Sequence, residues 1–180
     1  MKIRQIEAEK LILHFSDNAR THESSKKLEK YLKEGLIVLS KFLFSKNLIV
    51  KNKKVQAVEL SLTLCGDKRI RTLNRDYRGK DKATDVLSFP VHDSLRPEGE
   101  DDFFFFDKIL NLGDIIISRD VAKKQAKEFE ITYEQEILHL MVHGLLHLCG
   151  YDHEIDDNEE KIMFDLEEKL VAKIYKEIGF

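Results

Sequence analysis

Tryptophan is absent, proline occurs twice and glycine eight times in 180 residues. So little proline and glycine excludes a collagenous or loop-dominated chain. Cysteine occurs only as Cys65 and Cys149, too few for a disulfide scaffold and suited to a reducing cytoplasm. No apolar run approaches the roughly 20 residues needed to cross a bilayer. The N-terminal run MKIRQIEAEKLILHF is charged throughout and lacks an apolar core with a small-residue cleavage site, so it does not read as a secretory signal. Neither sign of charge is in large excess: 30 Lys and Arg stand against 33 Asp and Glu, a net charge of -3, so overall charge does not announce a nucleic-acid binder. No internal repeat and no linker rich in Pro, Gly or Ser interrupts residues 1–180, and a single domain is expected across them. The 42% hydrophobic and 35% charged residues are an ordinary globular balance, which excludes whole-chain disorder.

The hydrophobic pattern predicts strands mixed with helices, then three helices in a row. Leu11 to Phe15 reads as a short strand. Leu28, Leu32, Leu36, Leu39 and Leu43 recur at helical spacing from Ser24 to about Lys46, with Ser24 or Ser25 as cap. Val58, Leu60, Leu62 and Leu64 alternate with polar residues, a half-buried strand over Val55 to Leu64. Asp67 is placed to cap a short helix from Lys68 to about Arg75. Strands follow at Val86 to Val91 and Leu112 to Ile117. Ser118 caps a helix carrying Val121, Ala122, Gln125, Ala126 and Phe129. Thr132 opens the next, with Gln135 as its capping-box partner. Ile137, Leu140, Met141, Leu145 and Leu148 make that helix apolar on several sides, hence buried, and Gly150 ends it. A last helix starts near Asp156 or Asp157, with Ile162, Leu166, Leu170 and Ile174 every fourth residue. The expected fold class is α/β (α+β), one sheet with helices packed on it. Pro97 to Asp107 joins an acidic run to Phe103, Phe104, Phe105 and Phe106. It reads as a loop with its phenylalanines tucked back rather than as an exposed docking patch.

Four of the seven histidines fall between His139 and His153. His143 and His147 are four apart on a helix, so their rings project from one face about 6 Å apart. Two imidazoles so placed can reach one metal at about 2.0–2.1 Å each. Gly150 can take a left-handed conformation and turn the chain, which brings His153 back as a third ligand. Three neutral imidazoles leave a fourth position open, the layout of a catalytic rather than a structural zinc site. His139 lies one turn earlier on the same stripe, but about 12 Å along the axis from His147, too far to share the ion. It is read as a residue behind the ligands or a core histidine. Cys149 is read as a small buried side chain rather than a soft ligand. The spacing is that of the protease signature H-E-x-x-H-x-x-G-x-x-H, except that Gly144 stands where the protease has its general-base Glu. That departure counts against peptide hydrolysis.

Upstream, Lys68 to Lys82 holds Lys68, Arg69, Arg71, Arg75, Arg78, Lys80 and Lys82 against Asp76 and Asp81. In a net acidic chain this reversal points to an anionic ligand, and Arg can clamp phosphate with two bonds. Lys68, Arg69 and Arg71 read as a solvated helix face. Tyr77-Arg78-Gly79-Lys80 reads as a loop leading to a strand, where binding groups are often placed.

Together HGLLHLCGYDH (His143 to His153), LNRDYRGKDKATDVLSFP (Leu73 to Pro90) and LGDIIIS (Leu112 to Ser118) resemble the YbeY family of bacterial endoribonucleases. The resemblance runs from about Val55 onward, in the family's order. It implies a zincin-like single domain, a small mixed sheet packed with helices, with the metal site on a helix of the C-terminal half. It implies one Zn²⁺ per chain on His143, His147 and His153, and catalytic roles for Arg78 and His143. The family's functional arginine falls on Arg78. The implied activity is metal-dependent cleavage of single-stranded RNA in the cytoplasm, in 16S rRNA 3′-end maturation and ribosome quality control. The implied partners are precursor rRNA and the small ribosomal subunit, with no DNA or membrane partner expected. Arg78, Lys80 and Lys82 are the expected substrate-binding groups. The general base stays open among a metal-activated water, Asp114, Asp152 and the ribose 2′-hydroxyl. Asp114 and Asp152 have a second reading, as groups that orient ligand histidines or cap a helix. Two rival readings are a metallopeptidase and a non-catalytic ribosome-assembly protein.

Overall fold

The computed structural model describes residues 3–17, 23–45, 48, 55–96 and 108–180. Five strands form one mixed sheet: β1 (Ile3–Ala8), β2 (Leu11–Asp17), β3 (Ala57–Cys65), β4 (Val86–Pro90) and β5 (Ile109–Ser118). Their order is β1-β2-β3-β5-β4. The two edge strands run antiparallel to their neighbours, while β2, β3 and β5 are mutually parallel. The helices are α1 (Glu23–Leu43), α2 (Asp67–Arg78), α3 (Arg119–Glu128), α4 (Tyr133–Leu148) and α5 (Asp157–Ile178).

Alternation along the strands sorts side chains between the two faces. Val58, Leu60, Leu62 and Leu64 of β3 point into the main core, which also takes Leu28, Leu32, Leu36 and Leu39 of α1, a helix that lies against β1 and β2. Between Glu59 and Ser61 the β3 register against β5 shifts from Asn111 to Asp114, so β5 carries one extra residue. That bulge turns both Leu110 and Leu112 and then Ile115 and Ile117 inward, although the two pairs have opposite parity. α4 lies under β4 and β5, and α5 packs outside it against α1 and α4. On the opposite face, Ile70 of α2 packs on Cys65 and Leu87 in a second, smaller cluster.

Three caps stand where the sequence puts them. Ser118 accepts from Val121 N–H, Thr132 and Gln135 form the reciprocal capping box, and Asp156 accepts from Asn158 and Glu159 N–H. Others differ. β1 was not expected; its Arg4, Gln5 and Glu7 hide a polar edge strand in a charged run. Asp67 does not cap α2. Gly66 takes that position, and the Asp67 carboxylate instead accepts from the Ser118 hydroxyl at 2.5 Å. α2 also runs on through Tyr77 and Arg78, which are helical and not loop, because Gly79 is its C-cap rather than the middle of a loop. Phe129 is the C-cap of α3 and is exposed. The expected Ser24 or Ser25 cap falls on side chains outside the described residues, as does the whole of the Pro97 to Asp107 loop. Among the described residues no helix is long and apolar enough to cross a membrane.

Candidate active site

His143 and His147 project from the stripe of α4 that faces away from the apolar core. Their Nε2 atoms face each other at 3.1 Å. α4 ends at Leu148, and Gly150 follows with φ +90, a conformation that costs an L side chain 1–2 kcal/mol or thereabouts. A Cβ there would also sit 2.7 Å from the Ser94 backbone. The turn it permits returns His153, whose ring centroid lies 5.3 Å from that of His143 and 5.2 Å from that of His147. One nitrogen from each of the three rings falls within 4.8 Å of the other two, so the trio can hold a metal ion.

The donor chemistry fits. Burial, then the neighbouring His143 and His153, push the His147 pKa down to about 4, with the Arg78 charge adding to the effect and Asp152 opposing it. His147 is therefore neutral at pH 7, with a lone pair to offer. The Nδ1 of His143 is engaged by Glu167 Oε2 of α5 at 3.0 Å. The other oxygen of Glu167 lies 2.5 Å from His139 Nε2. The nearby Glu136 carboxylate and the hydrogen bond to Glu167 outweigh burial and push the His139 pKa up to about 9. Burial would raise the Glu167 carboxyl, but the bonds and charges of His139 and His143 bring it down to about 2. His139 thus stands behind the three-histidine cluster, as its spacing requires. Cys149 is fully buried, and burial pushes its thiol up to about 12, so it is a packing residue.

The opposite wall is cationic. Arg78, Lys80 and Lys82 line the same cleft as the three histidines, a space of about 390 Å³. All three are exposed, and none makes an ion pair with another described residue. The loop that carries the lysines is held from beneath. Buried Asn74 donates from Nδ2 to the Lys82 carbonyl at 2.8 Å, and its own carbonyl accepts from Lys80 N–H at 3.2 Å. Arg71, expected on a solvated face, is exposed but binds Asp81 through two hydrogen bonds of 2.9 and 2.8 Å. Asp152 lines the cleft; Asp114, on β5, does not. Ser88 also lines it, its hydroxyl buried without a hydrogen-bond partner among the described residues.

Gly144 acquires a steric reason. A Cβ there would lie 2.8 Å from Ile115 Cγ2 and 3.1 Å from Ser88 Oγ. α4 approaches β4 and β5 so closely beside the first histidine that the protease carboxylate has no room. Two site residues escaped the sequence reading: Asn74, an ordinary polar residue in a helix, and Glu167, one of many acidic residues on α5. Asn74 lies in the Leu73 to Pro90 segment, but no spacing there marks it for chemistry, and Glu167 belongs to none of the segments that carry the resemblance.

Two histidines on a helix beneath a mixed sheet, a third beyond a glycine turn and a cationic wall opposite define a zincin-like hydrolase fold shaped for an anionic substrate. A family model described as Endoribonuclease YbeY matches residues 14–175. Among curated relatives, an Endoribonuclease YbeY from Sulfurihydrogenibium is 45% identical over 130 residues, 72% of this chain and 79% of its own. One from Persephonella marina is 43% identical over 126 residues, 70% and 76% of the two chains. One from Aquifex aeolicus is 45% identical over 119 residues, 66% and 72%. The solution structure of a Thermotoga maritima protein superposes with a TM-score of 0.57 at 27% identity, covering 93% of this chain and 91% of that one. The chain belongs to the endoribonuclease YbeY family. It is an enzyme that cleaves RNA, which sets aside the peptidase and the non-catalytic assembly readings.

Proposed function

We propose that this enzyme is a zinc-dependent endoribonuclease specific for single-stranded RNA. It acts in the cytoplasm on the 3′ end of small-subunit precursor rRNA and in ribosome quality control, with the small subunit as its partner. One observation carries the site assignment: the three imidazole nitrogens within 4.8 Å of one another share one cleft with three cationic side chains that no described acidic residue neutralises. His143, His147 and His153 hold one Zn²⁺ per chain. Bound there, zinc supplies Lewis acidity toward a phosphoryl oxygen and lowers the pKa of a water.

The chain's own groups do the rest. Arg78 emerges from the last turn of α2, where its guanidinium holds the scissile phosphate with a bidentate fork and stabilises its developing charge. Lys80 and Lys82 track the flanking backbone as point charges. His143 is catalytic through the placement of its Nε2 beside that of His147. Of the two carboxylates considered as base, Asp152 lines the cleft and Asp114 does not, which favours Asp152 for that role.

The test is cleavage of a labelled single-stranded RNA at matched metal occupancy. Arg78→Ala should change stability by less than about 0.5 kcal/mol yet lower cleavage by on the order of 10²-fold or more. Arg78→Lys should rescue only in part, since an ammonium keeps the charge and loses the fork. Metal content should be unchanged in both. His147→Ala and His153→Ala should each lose most bound metal from a wild-type level of about one ion per chain. Wild-type cleavage by Arg78→Ala sinks the phosphate clamp. Full metal retention in both histidine variants rejects the ligand set.

A further inference from the structure

Behind the cleft, carboxylates and imidazoles alternate in a file between α4 and α5. α4 supplies Glu136, His139 and His143, which share one stripe of the helix. α5 supplies Glu167, whose two oxygens reach in opposite directions: Oε2 to His143 Nδ1 at 3.0 Å, Oε1 to His139 Nε2 at 2.5 Å. On the far side of His139, its Nδ1 lies 3.6 Å from Glu136 Oε2. Its carboxylates are sheltered, with the Glu136 side chain 1% and the Glu167 side chain 12% exposed, while His139 between them is 38% exposed.

An ionised carboxylate only accepts hydrogen bonds. Its contact with His143 therefore places the ring proton on Nδ1. A free neutral imidazole in water prefers the proton on Nε2, and the partner of one ring nitrogen decides the state of the other. With the proton on Nδ1, the bare Nε2 is the atom that faces His147 Nε2 at 3.1 Å. The second oxygen of Glu167 is tied to His139, and Glu136 stands on the far side of His139.

We propose that Glu167 is a positioning residue: it holds His143 in the Nδ1–H tautomer with Nε2 bare toward the three-histidine site, and His139, backed by Glu136, holds Glu167 in that pose. The proposal rests on the reading of His143 as a metal ligand. A ligand whose tautomer and ring angle are already set loses less freedom when it binds, so the file raises metal affinity without touching the ion. The arrangement also explains why α5 belongs to the site although none of its residues is a ligand.

The test uses the full chain and reads two things besides activity. Long-range ¹H–¹⁵N spectra of the metal-free protein report which nitrogen of His143 carries the proton, and competition titration with a chelator reports zinc affinity. In the wild type, His143 should be the Nδ1–H tautomer. In Glu167→Ala it should revert to Nε2–H, and zinc should bind about 10–100-fold more weakly. Glu167→Gln, which keeps one acceptor oxygen in the same place, should restore much of the Nδ1–H population. His139→Ala leaves Glu167 in place but frees it, and should give a mixed tautomer and an intermediate affinity. If Glu167→Ala does not fold, His139→Ala decides on the same two readouts. An Nδ1–H tautomer that persists in the deciding variant, or zinc affinity within about threefold of wild type, overturns the proposal. The ligand reading fails separately: His143→Ala would then leave zinc affinity unchanged, whereas the tautomer of the metal-free wild type still reports what Glu167 does.

Discussion

At the scale of single residues, Gly144 separates this site from the protease it resembles in spacing. Seen as a missing carboxylate, the position suggests that Gly144→Glu would harm cleavage by putting a negative charge near the phosphate. The geometry gives a different cause. Ile115 is fully buried, so the Cβ of Ala, 2.8 Å from its Cγ2, forces either that side chain or α4 to shift. Gly144→Ala should therefore destabilise the protein by about 1–3 kcal/mol, as overpacked cores do. It should also weaken metal binding, because His143 is the next residue along. Urea unfolding and zinc titration of Gly144→Ala and Gly144→Glu measure both effects. An unperturbed Gly144→Ala that loses nothing, beside an inactive Gly144→Glu, would restore the charge explanation.

At the scale of elements, the pairing of α4 with α5 carries a pH signature. The His139 pKa is raised from 6.5 to about 9 and that of Glu167 lowered from 4.5 to about 2. A raised histidine contributes stability that is complete below its unfolded value and is lost as pH rises through the folded one. A depressed carboxyl contributes stability that is complete above its unfolded value and is lost as pH falls through the folded one. Both contributions are therefore complete between pH 4.5 and 6.5, and the histidine part fades toward pH 9. The stability difference between wild type and His139→Ala, measured on metal-free protein, should be largest near pH 6 and shrink by about pH 10. A difference that stays constant across that range would mean that the contact contributes packing alone. Helix starts were legible at this scale because Ser118, Thr132 with Gln135, and Asp156 act on N–H groups two or three residues away. The last turn of α2 was not, since Gly79 ends a helix and begins a loop with the same letter. Nor was β1, where Gln5 and Glu7 are exposed and Arg4, on the inward side, pairs with Glu29, which leaves only Ile6 and Ala8 as a buried apolar signal.

At the scale of the whole molecule, placement of charge matters more than its sum. The chain is net acidic, with a formal charge of -3, yet Arg78, Lys80 and Lys82 converge on one cleft while Arg71 and Arg75 are bound by Asp81 and Asp76. Binding of single-stranded RNA should weaken with salt, each neutralised phosphate adding about 0.7 to the slope of log affinity against log salt. Lys80→Ala should remove roughly one such contact, lowering the slope by about 0.7. Arg71→Ala should change the slope less, since its charge is already paired. Fluorescence anisotropy across a salt series checks this, and equal slopes in wild type and Lys80→Ala would take Lys80 out of the RNA path.

The three-histidine cluster was legible in the sequence by itself because its geometry is local. Helical periodicity puts His143 and His147 on one face, and a glycine turn of a few residues returns His153, whatever the rest of the chain does. The same holds for the caps of α3, α4 and α5 and for the alternation of β3. The chain's membership of a nuclease family was legible too, in motifs that run in the right order. Only the tertiary structure decided what faces the histidines. Arg78 and the three histidines are 65 or more positions apart and meet because α2 and α4 lie at the β4–β5 end of one sheet. Glu167 meets His143 because α5 packs on α4, and Gly144 has no room for a side chain because α4 lies against Ile115. These contacts depend on how helices seat on a sheet, a long-range packing outcome that no spacing within a single element encodes.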